Sequence, residues 1–319
     1  MRHPLTLDLH LADFSYPGVS SDQLFDKVIS IARTIEDAGF SSISLMDHMH
    51  QISAIGAPSS PMFDGCTMLA AIAARTEKLS LGLLVGSVTY RNPALAAKIT
   101  STIDIISHGR AWHGLGAGWY EEEHRAYGYR MPPLKERFEM LEEALQISRT
   151  MFTKPQASFA GKHFRVDGAY NNPQPIRGDI PIMIGGSGER KTLRLVAKYG
   201  DACNMFGGPA ELAHLLGVLE QHCSEVGRDP AEITKTTMLS VLIGSTHAEA
   251  ERKVQKLREG GTAEAMLSRF IVGDPDTVGE RVQAFKDHGI EGLAVSVPDT
   301  YDLEGLDLIG RTLAPIFAR

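Results

Sequence analysis

The segment SLMDHMHQ, residues 44–51, sets a carboxylate and an imidazole side by side, Asp47 and His48, with a second imidazole two residues on at His50. Three chemistries suit these residue types. A His-x-His step beside an acid is a metal-ligand spacing. A carboxylate can also orient or polarise a neighbouring histidine, whose ordinary pKa of about 6.5 suits proton transfer near neutral pH. Or the two are a polar cap on the end of a buried strand. The segment by itself leaves all three open.

Two further stretches are chemically suggestive because they are rich in glycine. GLGAG covers Gly114 to Gly118, with Gly116, Ala117 and Gly118 followed by Trp119, and GGSG covers Gly185, Gly186, Ser187 and Gly188. Without a Cβ, backbone N–H and C=O groups can approach a ligand directly, so these turns are expected to bind a large flat ligand by main chain. The plain alternative is a pair of tight strand-to-helix turns. A helix is expected to begin at Glu189 and Arg190, with Arg190, Lys191 and Arg194 in its first turns. Cations oppose a helix dipole there, so the exposed amides and the positive charge together read as a phosphate site. Neither a Walker loop nor a Rossmann G-x-G-x-x-G occurs.

The elements that must position these residues alternate. Short apolar runs begin with LTLDLHL (5–11), SSISLMD (41–47), LSLGLLVG (79–86) and AWHGLGAG (111–118). They continue with IPIMIGG (180–186), DACNMFG (201–207), ITKTTMLSVLIG (233–244) and GLAVSVPD (292–299). Stretches of helical period separate them, among them residues 22–38, 134–152 and 275–289. Eight strand-helix pairs with no visible linker predict a single (β/α)8 TIM barrel over residues 1–319 rather than an open sheet. Two insertions overrun the repeat. Residues 153–179 contain FAGKHFRVDGA, whose period-two alternation predicts a hairpin. Residues 258–274, with a Gly-Gly break, read as a lid or a plain surface loop.

In such barrels the strands' C-terminal ends form the active site. That rule gathers Asp47 and His48, then Leu84, Val85 and Gly86, then Gly116 to Trp119, Gly185 to Gly188, and Met205 with Phe206 at one mouth. His10 and Asp299 lie at or near other strand ends. The fifth and sixth strands nevertheless end in Gly, Ser, Met and Phe where a metallohydrolase needs more His or Lys ligands, so no metal is expected. Trp119, Met205, Phe206 and Met49 are candidates for the substrate wall, with core packing as the competing role. The acidic run Glu121, Glu122, Glu123 reads as a solvated helix start.

Composition excludes other classes. A net charge of −7, from 32 Lys and Arg against 39 Asp and Glu, argues against nucleic-acid or anionic-membrane partners. No run approaches 18 apolar residues, and Asp8 and His10 interrupt the start before a signal-like apolar stretch can form. Cys66, Cys203 and Cys223 are odd in number and widely spaced, which fits a reducing cytoplasm better than a disulfide framework.

The stretches SLMDHMHQ, LGLLVGSVTYRNPALAAK, SHGRAWHGLGAGWYEEEHRAYG, PPLKERFEMLEEAL and PIMIGGSGERKTLRLVAKYGDACNMFG, with VGRDP further on, resemble the bacterial luciferase-like flavin and deazaflavin oxidoreductases over nearly the whole chain. The similarity is closest to the branch that uses coenzyme F420. The resemblance implies a luciferase-like TIM barrel and F420 at the mouth. It implies His48 as the acid/base, with Asp47 its neighbour on the cofactor, and a non-prolyl cis peptide at Leu84–Val85 backing the ring. The luciferases proper grip the FMN phosphate with an arginine where this chain has Ala117. The phosphate would then rest on Gly186, Ser187 and Gly188 with Arg190 or Lys191, which favours F420 over FMN. The expected activity is hydride exchange with a small organic substrate. The alternatives are a two-component FMN-dependent monooxygenase and a cofactor-binding protein without turnover. Barrels of this type commonly form homodimers.

Overall fold

The computed structural model describes residues 4–318. The chain alternates β1 (Leu7–Leu11), α1 (Leu24–Asp37), β2 (Ser42–Leu45), α2 (Gly65–Ala73), β3 (Ser80–Leu83), β4 (Gly86–Ser87), α3 (Pro93–Ile106) and β5 (His113–Gly116). Helices α4 (Glu121–Tyr127) and α5 (Leu134–Thr153) follow, then β6 (Gln156–Ala160) and β7 (Arg165–Tyr170). Next come β8 (Ile182–Gly185), α6 (Thr192–Tyr199), β9 (Ala202–Met205), α7 (Pro209–Val226) and β10 (Thr234–Ile243). The chain closes with α8 (His247–Glu259), α9 (Glu264–Leu267), β11 (Ile271–Gly273), α10 (Pro275–Asp287), β12 (Gly292–Ser296) and α11 (Leu303–Phe317).

All eight predicted strands form, the one predicted over residues 79–86 as the two pieces β3 and β4, and they lie parallel in the order β3-β2-β1-β12-β10-β9-β8-β5-β4. A parallel bridge between Leu81 and Ala111 joins β3 to the chain entering β5 and brings the two ends of the sheet together. The architecture is the expected (β/α)8 barrel. Strand alternation divides its side chains. Leu7, Leu9 and Leu11 of β1, with Ile43 and Leu45 of β2, join the large apolar shell under the helices. Asp8, His10, Ser42 and Ser44 therefore face inward, where Trp112, Met183 and Ala202 form a separate cluster.

The helices follow from their sequence. In α1, Val28, Ile31, Ala32 and Ile35 recur at helical spacing and are all buried. Asn92 caps α3 by accepting from the Ala94 amide, with Pro93 at the first turn, and Asp274 caps α10 through Thr277 in the same way. One boundary differs from expectation. The helix expected at Glu189 begins at Thr192, with Lys191 at its N-cap.

Both insertions have defined structure. β6 and β7 pair antiparallel as the predicted hairpin. In the second insertion, β11 adds beside the end of β10, pairing Val241 with Ile271 and Ile243 with Gly273. Leu267 and Phe270 there pack with Leu242 and Val254 in a small core of their own. That segment extends the barrel wall and packs on it.

Candidate active site

The end of β2 and the start of α4 meet at the barrel mouth. His48 Nδ1 lies 2.8 Å from Glu123 Oε2. Glu123 is fully buried, and its carboxylate also accepts the Tyr90 hydroxyl and the amides of Met49 and His50. Burial pushes the Glu123 carboxyl up, but the bonds from His48, Tyr90 and Met49 outweigh it and hold the group at about 2. An ionised carboxylate only accepts, so Nδ1 of His48 is the donor and Nε2 is left to take or give a proton. The ring edges of Trp119 and Tyr120 flank His48, each with its centroid 5.7 Å away.

Glu123 overturns the expectation of a solvated acidic run. Glu121 and Glu122 are exposed as expected, whereas Glu123 lies on the inner face of α4. A signal was present in the sequence: Tyr120, Glu123, His124 and Tyr127 recur at i, i+3, i+4 and i+7.

Asp47 does something other than orient His48. Both its oxygens lie 2.7 Å from Arg91 Nη1, and one accepts the Ser87 amide at 2.9 Å. Burial pushes the Asp47 carboxyl up against the pull of Arg91, which is held in its charged form by Asp47 and, through Nη2, by Asp64 at 3.2 Å. Arg91 and Tyr90, from the loop before α3, carried no local pattern that marked them. His50, without an assigned role in the sequence, gives its amide to Glu123 and stacks on Tyr127.

The Leu84–Val85 peptide is cis, as the resemblance implies. Both residues pack against the inner cluster, and the Val85 side chain gives the rim glycines a reason. A Cβ on Gly116 or on Gly185 would come within 2.8 Å of Val85 Cγ2. These two glycines clear space for the bulge. Gly86 is buried beside Asp47, Ala117 packs on the outer shell, and the Gly118 carbonyl accepts from Arg137.

The GGSG turn is the polar side of the mouth. The Gly186 amide reaches the Asn204 carbonyl at 2.9 Å, and Ser187 Oγ accepts the Phe206 amide at 2.8 Å. The amides of Ser187, Gly188, Glu189 and Arg190 meet no acceptor among the described residues. A row of free amides at a strand end fits an anionic group such as a phosphate. Lys191 and Arg190 are exposed and line a groove between α5 and α6, where Lys191 Nζ sits 5.0 Å from the Phe138 ring. Their side chains thus flank the amides from outside the barrel. Trp119 and Phe206 are exposed at the mouth, but Met205 is fully buried in the shell under the helices and is not part of the wall. Among the described residues, no three His, Cys, Asp or Glu side chains gather as a metal site.

Comparison with known proteins adds to this geometry. The family described as luciferase-like monooxygenase matches residues 9–270. An F420-dependent glucose-6-phosphate dehydrogenase of Nocardia farcinica is 28% identical over 326 residues, covering 91% of this chain and 93% of that protein. The pyrimidine monooxygenase RutA of Acinetobacter baylyi is 30% identical over 219 residues, covering 66% of this chain and 57% of its own. An F420-dependent secondary alcohol dehydrogenase, solved with an F420-acetone adduct, superposes over 100% of both chains with a TM-score of 0.82 at 19% identity. The oxygenating constituent of 3,6-diketocamphane monooxygenase from Pseudomonas putida, solved with FMN, covers 98% of each chain with a TM-score of 0.76 at 22% identity.

Proposed function

The chain belongs to the luciferase-like monooxygenase family of oxidoreductase enzymes, and within it we propose an F420-dependent oxidoreductase that exchanges a hydride with a small organic substrate. The observation that carries this reading is the His48–Glu123 pair at the end of β2, with the free amides of the GGSG turn at the end of β8. When bound, the deazaflavin supplies a hydride donor or acceptor at C5 that reacts poorly with oxygen. The chain supplies the rest. Ser187 and Gly188 amides, with Arg190 and Lys191 beside them, hold the phosphate. Leu84 and Val85 back the ring, and Asp47, fixed by Arg91, borders it. His48, its Nδ1 committed to Glu123, presents Nε2 to take the proton of a substrate hydroxyl or to protonate a forming alkoxide. Trp119 and Phe206 keep water from the reacting face.

The extensive match to F420-dependent dehydrogenases supports the deazaflavin, as does Ala117 in place of a phosphate-gripping arginine. A two-component monooxygenase using reduced FMN is the second reading, favoured by the RutA relative. Anaerobic mixing with F420 and a panel of alcohols separates them. The deazaflavin reading expects bleaching of F420 absorbance by at least one substrate. Substrate-dependent oxygen uptake with reduced FMN, and no bleaching of F420 by any compound, would replace it with the second. A cytoplasmic homodimer acting on a small molecule completes the proposal.

A further inference from the structure

Below the mouth, Asp8 and His10 face the barrel interior from β1 and Ser44 meets them from β2, all at most 4% exposed. Ser44 Oγ lies 2.5 Å from Asp8 Oδ2 and 3.0 Å from His10 Nδ1. A hydroxyl has one hydrogen to give, so with a neutral ring and any Asp8 proton on Oδ2, two arrangements satisfy both contacts. With Asp8 ionised, Ser44 donates to Asp8, His10 donates from Nδ1, and Nε2 is bare. With Asp8 protonated, Asp8 donates to Ser44, Ser44 donates to Nδ1, and Nε2 carries the ring hydrogen. The direction of the whole chain follows the state of Asp8. Its other oxygen, Oδ1, takes no hydrogen bond, since the nearby Ser42 hydroxyl donates to the Ser80 carbonyl and accepts from the Trp112 indole.

We propose that Asp8, Ser44 and His10 form a proton relay that carries one proton between His10 Nε2 and the buried Asp8 carboxylate. A proton arriving at His10 Nε2 releases the Nδ1 proton to Ser44 Oγ, and Ser44 passes its own hydrogen to Asp8 Oδ2. One bond to hydrogen breaks at the donor and one forms at the carboxylate; ring and hydroxyl end neutral, and no electrons are exchanged. Oxidising an alcohol to a carbonyl releases a hydride and a proton. The relay offers that proton a buried acceptor, and in reduction it returns the proton; this role rests on the oxidoreductase reading.

The surroundings suit the task. Burial raises the Asp8 carboxyl to about 6 against the bond from Ser44, so it titrates within an ordinary pH range. Burial lowers His10 to about 4, with the charge at His48 adding to the effect. The ring therefore stays neutral and changes tautomer. From β2, Ser42 and Ser44 face Asp8, and β12 contributes Ala294 alongside. Among the described residues no charged side chain acts on Asp8, and His48 is the group that acts on His10.

The test is nitrogen NMR of full-length protein carrying labelled histidine and no cofactor, with His10 assigned by His10→Gln. Between pH 8 and pH 5 the neutral His10 ring is expected to pass from the Nδ1–H to the Nε2–H tautomer, and Ser44→Ala and Asp8→Asn are expected to abolish the change. A tautomer that stays the same across this range, or a change that survives Ser44→Ala, overturns the relay. If Asp8→Asn fails to fold, the parent protein and Ser44→Ala decide between them. The readout needs no cofactor, so its failure is separate from a failure of F420 to bind.

Discussion

Glu123 is buried while Glu121 and Glu122 beside it face solvent, and that difference fixes the His48 ring, with Nδ1 committed to the carboxylate and Nε2 left over. His48→Ala is expected to bind the cofactor within a few-fold of the parent and to lose about 10²- to 10⁴-fold in turnover, the usual share of a positioned proton-transfer group. Unchanged turnover with a good substrate would remove His48 from the chemistry. Glu123→Ala leaves His48 and Tyr90 without a buried acceptor. It should destabilise the protein by about 3 to 5 kcal/mol in urea unfolding, whereas a cost below ~1 kcal/mol would mean the pair is not formed in solution. At this scale the sequence was half legible. Asp47 and His48 stand out because they interrupt an apolar strand, whereas Glu123, Arg91 and Tyr90 come from distant loops and helices that only the folded barrel brings together. The adjacency of Asp47 and His48 in sequence was misleading, because the two side chains have separate partners, Arg91 for Asp47 and Glu123 for His48.

At the scale of elements, the mouth is shaped by the bulge between β3 and β4, and two other strands make room for it. Gly116 on β5 and Gly185 on β8 both face the same methyl of Val85, which a Cβ added at either would meet at 2.8 Å. Gly185→Ala is therefore expected to cost about 1 to 3 kcal/mol through overpacking. In a double-mutant cycle with Val85→Ala part of that cost should disappear, giving a coupling of about 0.5 kcal/mol or more. Strictly additive effects would separate the glycine from the bulge. The sequence marked these positions as glycine-rich but could not distinguish clearance for a side chain from approach of a ligand, because both demand the missing Cβ. The start of α6 shows the same limit: the basic residues were legible, but the turn through Glu189 and Arg190 delays the helix to Thr192.

For the whole molecule, the alternation of short apolar runs with helical stretches was enough to reach the barrel, since eight such units leave few ways to bury the sheet on both faces. The ionic state of the mouth then feeds into global stability. Glu123 lies at about 2 when folded against an ordinary value of 4.5, so its contribution is fully present above pH 4.5 and is lost as pH falls toward 2. Denaturant unfolding of the parent should weaken more steeply through that window than unfolding of Glu123→Gln, and parallel curves would show that the carboxylate is not held as described. The identity of the cofactor is the point on which the account turns. A side-by-side titration of F420 and FMN on one purified sample tests it directly. Micromolar binding of F420 with FMN at least about tenfold weaker is the predicted result, and binding of FMN with none of F420 would contradict it.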